Sequence, residues 1–88
     1  MDGIEDSNLL ILTFVPVTNG TVYDDKVLSF CYYQAHKVSE IAEYLGISDS
    51  TYLRKQVLGN LEAQGYLVAS KISRAMYFKT NPDMVAVN

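Results

Sequence analysis

VSEIAEYLGIS (38–48), TYLRKQVLGNLEAQGYL (51–67) and AMYFK (75–79) follow one another with short gaps and read as one unit. In the first string Ile41, Ala42 and Leu45 recur at helical spacing, Ser39 stands where an N-cap belongs, and Gly46 follows as a left-handed C′ residue. The second string is a helix capped by Ser48 or Ser50 and ended by Gly65. Tyr66 to Ser70 and Ala75 to Thr80 then read as two strands around Lys71-Ile72-Ser73-Arg74, and Asn81-Pro82 stops the second. Helix, tight turn, helix and hairpin is the order of a winged helix-turn-helix. The expectation is a mainly α fold with a small antiparallel β-hairpin or three-stranded sheet, an arrangement used mostly to place one helix against DNA.

Upstream, Leu9 to Val15 is rich in β-branched and aromatic residues and halts at Pro16, which predicts a strand. Thr18-Asn19-Gly20 is a turn, and Thr21 with Asp24 three residues on forms a capping-box-like pair. The helix it opens runs to about Ala35, with Val27, Leu28, Cys31 and Ala35 on its buried face. His36 has no catalytic or metal partner nearby in the sequence and falls in a connector at that helix's end. Three stretches result: an acidic leader with a strand (1–20), the helix-turn-helix domain (21–81) and a loose tail (82–88).

Eighty-eight residues suffice for one small domain and not for an enclosed substrate cavity. The longest apolar run, Leu9 to Val15, is too short to span a bilayer. Asp2, Glu5 and Asp6 lie where a signal peptide needs positive charge, so the chain reads as soluble and cytoplasmic, with no membrane partner. The lone Cys31, flanked by Phe30 and Tyr32, is a small buried hydrophobe and rules out an internal disulfide. No Cys/His pair, HExxH or phosphate-cradling glycine loop occurs, and Asp24 and Asp25 are explained by the helix start. The chain is therefore expected to be no enzyme, and to use no cofactor, metal or small-molecule substrate.

The net charge of −3 looks unsuited to DNA, but it is unevenly spread. Residues 1–35 hold five acids against Lys26, whereas residues 36–80 hold six Lys/Arg against Glu40, Glu43, Asp49 and Glu62. The local excess is small, which implies modest phosphate neutralisation. Ser50, Thr51, Tyr52, Lys55 and Gln56 on the third helix, with Lys71 and Arg74 on the hairpin, are the candidate contacts to double-stranded DNA.

At 100° per residue, Leu53, Val57 and Leu61 form a buried stripe on the third helix, with Leu58 at its edge and Arg54 inside the same sector. That placement predicts a distorted first turn or a structural bond from Arg54 to a carbonyl or carboxylate, Glu40 or Glu43 being the candidates. Arg54 is expected to be largely buried and not a main nucleic-acid contact. Gly59, on the outer face, costs about 1 kcal/mol against Ala in a helix interior.

Glu43-Tyr44-Leu45-Gly46, then Thr51-Tyr52-Leu53-Arg54, Leu58, Leu61, Gly65 and Leu67 resemble the C-terminal winged helix of the RecG-related or Schlafen/AlbA-type transcriptional regulators with helicase-like names. Ala75-Met76-Tyr77-Phe78-Lys79 is the counterpart of that family's last strand. The resemblance covers about half the chain and implies a DNA-binding module of a bacterial regulator. It also implies that Leu9 to Phe14 is the last strand of a preceding ATPase-like domain. The helicase activity is not implied, because no nucleotide-binding motif is present. A bare leader strand would recruit a second copy, so a homodimer is expected, with Leu10, Leu12 and Phe14 or Leu9, Ile11 and Thr13 at the contact.

Overall fold

The computed structural model describes residues 12–87. In chain order they form β1 (Leu12–Thr13), α1 (Asp24–Phe30), β2 (His36–Lys37) and α2 (Val38–Leu45). A third helix, α3, is π-wound over Tyr52–Gly59 and closes as an α-helical turn over Asn60–Ala63. It is followed by β3 (Leu67–Ile72), β4 (Ala75–Thr80) and β5 (Ala86–Val87). One antiparallel sheet has the order β2-β4-β3, and a second pairs β1 with β5.

This corrects the expected mainly α class. The described residues are 37% helical and 24% strand, with three short helices and two sheets. Two segments read as connector and tail turn out to be strands. His36 and Lys37 lie opposite Phe78 and Tyr77, while Val87 and Ala86 lie opposite Leu12 and Thr13. The helices are also shorter than their periodicity suggests. α1 stops at Phe30 instead of Ala35 because the end of β4 takes the carbonyls it would need. The Thr80 backbone N–H donates to Cys31 O (3.0 Å) and its hydroxyl to Leu28 O (2.7 Å). The Lys79 ammonium donates to Tyr32 O (3.1 Å). A carbonyl bonded by a strand no longer rewards extending the helix.

The helix ends follow local chemistry. The Thr21–Asp24 pair forms as expected: Asp24 accepts from the Thr21 N–H (2.9 Å) and hydroxyl (3.1 Å), although helical geometry begins only at Asp24 itself. A Cβ on Gly20 would lie 2.6 Å from that carboxylate and 3.0 Å from Val17 O, so a larger residue there would have to displace the Asp24 side chain that makes the cap. α2 begins at Val38, one residue before the expected cap Ser39. The Lys37 N–H donates to the Glu40 carboxylate (2.9 Å), so capping comes from inside the first turn. Both α2 and α3 end in the expected left-handed glycines, Gly46 (φ 74°) and Gly65 (φ 88°). In each case the next residue bonds back five positions, Ile47 N–H to Ala42 O and Tyr66 N–H to Leu61 O.

The core gathers Val27, Leu28 and Cys31 of α1, Ile41 and Ala42 of α2, Leu53, Val57, Leu58 and Leu61 of α3, and Tyr66, Leu67 and Phe78. The described part of the leader is fastened to it. Leu12 and Phe14 pack against the core, Phe14 meets the Tyr66 ring edge-on at 5.8 Å, and the Tyr66 hydroxyl donates to Val15 O (2.9 Å). Asn60 and Gln64 donate to Thr18 O (2.9 and 2.8 Å). Leu12 and Phe14 are therefore engaged within the fold, Thr13 pairs with Ala86, and the other contact residues named for self-association, Leu9, Leu10 and Ile11, lie outside the described residues. So does the polar stretch 1–8.

Cys31 is fully buried. Burial, helped by the charge of Glu40, pushes its thiol up to about 12. A thiol reagent at about pH 8 should leave it unmodified in the folded protein and label it fully in denaturant; labelling at the rate of a free thiol in native buffer would contradict this burial.

The hairpin is tighter than expected, since β3 runs on to Ile72 and only Ser73 and Arg74 make the turn. Ser73 has φ 59°, the positive value that the first central residue of a II′ turn requires and that glycine meets without strain. Ser73→Gly is expected to raise stability by about 0.5–1 kcal/mol in a denaturant melt. A loss of stability would show that the serine is not strained.

Candidate nucleic-acid interface

Three elements converge at one end of the molecule: the start of α2, the first turns of α3 and the hairpin turn. They enclose an open cleft of about 480 Å³ lined by Lys37, Val38, Ser39, Asp49, Arg54, Arg74, Ala75, Met76 and Phe78. Three cationic side chains and one carboxylate stand among its walls. The chain as a whole is acidic at −3, so this end concentrates positive charge that the rest lacks.

The π winding of α3 decides what reaches this end. Leu53, Val57, Leu58 and Leu61 are all fully buried, although at 100° per residue Leu58, at i+5, lies at the edge of the stripe that i, i+4 and i+8 make. With i→i+5 bonding each residue advances by less than the 100° of an α-helix. The wider turn brings Leu58 onto the buried stripe and carries Arg54 off it. The expected burial of Arg54 is thus corrected: its side chain is 61% exposed. The bond to a carboxylate is present, but the partner is Asp49, not Glu40 or Glu43. Arg54 Nε donates to Asp49 Oδ1 (2.8 Å) and Nη2 to Oδ2 (3.0 Å). This side-on bond holds the Asp49 carboxyl below the usual carboxylate range and raises the arginine further. Because the folded value is depressed, the pair is intact at neutral pH and is lost only as pH falls through that lowered value.

The residues singled out from sequence divide into groups. Arg74 lines the cleft. Lys71 is exposed and lies opposite Met76, on the hairpin face that borders the cleft. Thr51, Lys55 and Gln56 are exposed along the first turns of α3 but do not line the cleft. The Ser50 hydroxyl accepts from the Leu53 N–H (3.4 Å), so Ser50 caps the helix start. Tyr52, 46% exposed, turns its ring edge-on to Tyr23 at 6.3 Å and leans back toward α1. Sequence reasoning missed Lys37, Asp49 and Arg54. The signal for Arg54 was present in the i+5 position of Leu58.

Behind the cleft, His36 stacks on Phe30 (3.9 Å), whose ring also stacks with Tyr44 (4.2 Å). His36 Nδ1 lies 3.3 Å from Glu40 Oε1. The Lys37 backbone N–H, and then His36, hold the Glu40 carboxyl below its ordinary value. These contacts tie β2 to α1 and to α2. They give His36 a packing role in a strand, not in a loop.

No helix among the described residues is long and apolar enough to cross a membrane. Compared with protein-family models, curated proteins and solved structures, the chain shows no significant match to any of them.

Proposed function

We propose that the chain is a DNA-binding module of a bacterial transcriptional regulator acting in the cytoplasm, with α3 in the major groove and the hairpin against the backbone. The observation that carries this reading is the cleft in which Lys37, Arg54 and Arg74 outnumber Asp49 on an otherwise acidic chain. Exposed Lys55 and Lys71 flank it. A helix with exposed polar residues in its first turns, beside cations at the start of α2 and on a hairpin, suits a groove bordered by phosphates. The Thr51-Tyr52-Leu53-Arg54 string and its resemblance to regulator C-terminal domains agree with it.

The test is a gel-shift titration over a range of salt concentrations. Lys55→Ala/Arg74→Ala should bind more weakly and lower the slope of log affinity against log salt by about two. Failure of the wild type to bind any duplex at about 50 mM salt removes the reading.

A second reading is favoured by one observation. Val68 and Ile72, 51% and 53% exposed, share the outer face of β3, and β3 is an edge strand of its sheet. Exposed apolar residues on a free edge suit a protein partner or a second copy. Light scattering decides for self-association: a monomer at high concentration excludes a homodimer through this face.

A further inference from the structure

We infer that Arg54, held side-on by Asp49, is a guanine-reading residue of the interface. The inference rests on the DNA-binding reading and says which base chemistry that site selects. A guanidinium has five N–H donors in a planar fork. Asp49 occupies the Nε–H and one Nη2–H, leaving the end-on edge, Nη1 and the outer Nη2–H. Those donors bond nothing else among the described residues, in a side chain that is 61% exposed and lines the cleft. Two parallel donors at that spacing match the O6 and N7 acceptors of guanine in the major groove.

The carboxylate is what distinguishes a base from a phosphate here. A phosphate drawn to the free edge of Arg54 would bring a second anion beside Asp49, and like charges at such distances repel. Guanine presents neutral acceptors, so the Asp49 charge does not oppose it. The carboxylate also removes freedom from a long side chain before binding, which lowers the ordering cost of the base contact. Lys37 and Arg74, the other cations of the cleft, form no ion pair within 4 Å among the described residues, although the Lys37 charge acts on Glu40, and they are suited to the flanking phosphates. The π winding belongs to the same device, because an ordinary α-helical turn would leave Arg54 between Leu61 and Leu58.

Asp49 is then a positioning residue, and its removal has two opposite effects. Loss of a negative charge strengthens sequence-independent attraction to DNA, while the loosened arginine reads its base less well. A merely structural pair predicts the first effect and not the second. Being solvent-exposed, the pair contributes little to stability, so these variants remain folded.

The experiment selects from a pool of random-sequence duplexes with wild type, Arg54→Lys and Asp49→Asn, and measures base preferences together with affinity for a mixed-sequence duplex. Wild type should prefer guanine at one position by roughly 5- to 150-fold. Arg54→Lys, which keeps the charge and loses the fork, should abolish that preference and cost far more affinity for the guanine-containing site than for the mixed-sequence duplex. Asp49→Asn should reduce the preference and raise mixed-sequence affinity. Selected sites without guanine, or an Arg54→Lys profile identical to wild type, overturn the inference while leaving DNA binding intact. Absence of binding to every duplex overturns the DNA-binding reading, and the inference with it.

Discussion

Leu58→Ala is expected to lower the melting temperature by roughly 8–40 °C, because it opens a cavity among residues that are all fully buried. Large-to-small changes at such sites cost about 2–5 kcal/mol, and a domain of this size loses about 4–8 °C per kcal/mol. Total stabilities of about 5–15 kcal/mol make that a large fraction of the whole. The choice of Leu58 is informative. On a regular α-helix it sits at the margin of the stripe, and its truncation would cost far less than that of Leu53. Burial of both at 0% exposure predicts similar losses. A thermal melt of Leu53→Ala beside Leu58→Ala checks this. A drop of about 2 °C for Leu58→Ala alone would place it back at the margin and remove the evidence for the widened turn.

Much of the local architecture was legible because it depends on short-range chemistry. Gly46 and Gly65 end helices through left-handed geometry that other residues adopt only with strain. Thr21 and Asp24 bond one another across three positions. β3 and β4 pair through a turn that their sequence separation nearly dictates. What was not legible depends on distant partners. Nothing within α1 says that Thr80, 52 residues from Leu28, will take its carbonyl. Nothing in Ala86-Val87 says that Leu12 and Thr13 will pair with it. Those two long-range events shorten a helix and add strands, and they account for the departure from a mainly helical fold.

The candidate site was legible in part, for the same reason. Arg74 and Lys71 follow from the hairpin, while Lys55 and Gln56 have the exposure expected of the outer face of α3 but do not line the cleft. Arg54 was assigned to the wrong side because an ideal 100° advance was applied to a segment that does not have one. The conflict between a charged residue and a leucine stripe was the visible symptom, and winding, not burial, resolves it.

That account makes a further prediction about register. Counting from Leu53, the buried residues fall at i, i+4, i+5 and i+8, and removing one residue before Val57 leaves i, i+3, i+4 and i+7, the α-helical face. Gln56 is exposed. Deleting it should therefore leave a folded protein in which α3 is an ordinary α-helix, with a melting temperature no lower than wild type. In most helices such a deletion would swing the following core residues by about 100° and unfold the domain. The opposite change should do so here: inserting one alanine after Gln56 displaces Val57, Leu58 and Leu61 together from the stripe. Each displaced side chain forfeits about 1.5–3 kcal/mol of burial, and three of them rival the total stability. Far-UV circular dichroism during a thermal melt distinguishes the outcomes. A folded insertion variant, or an unfolded deletion variant, would mean that the π winding is imposed by the surrounding packing, and that the spacing of its leucines does not cause it.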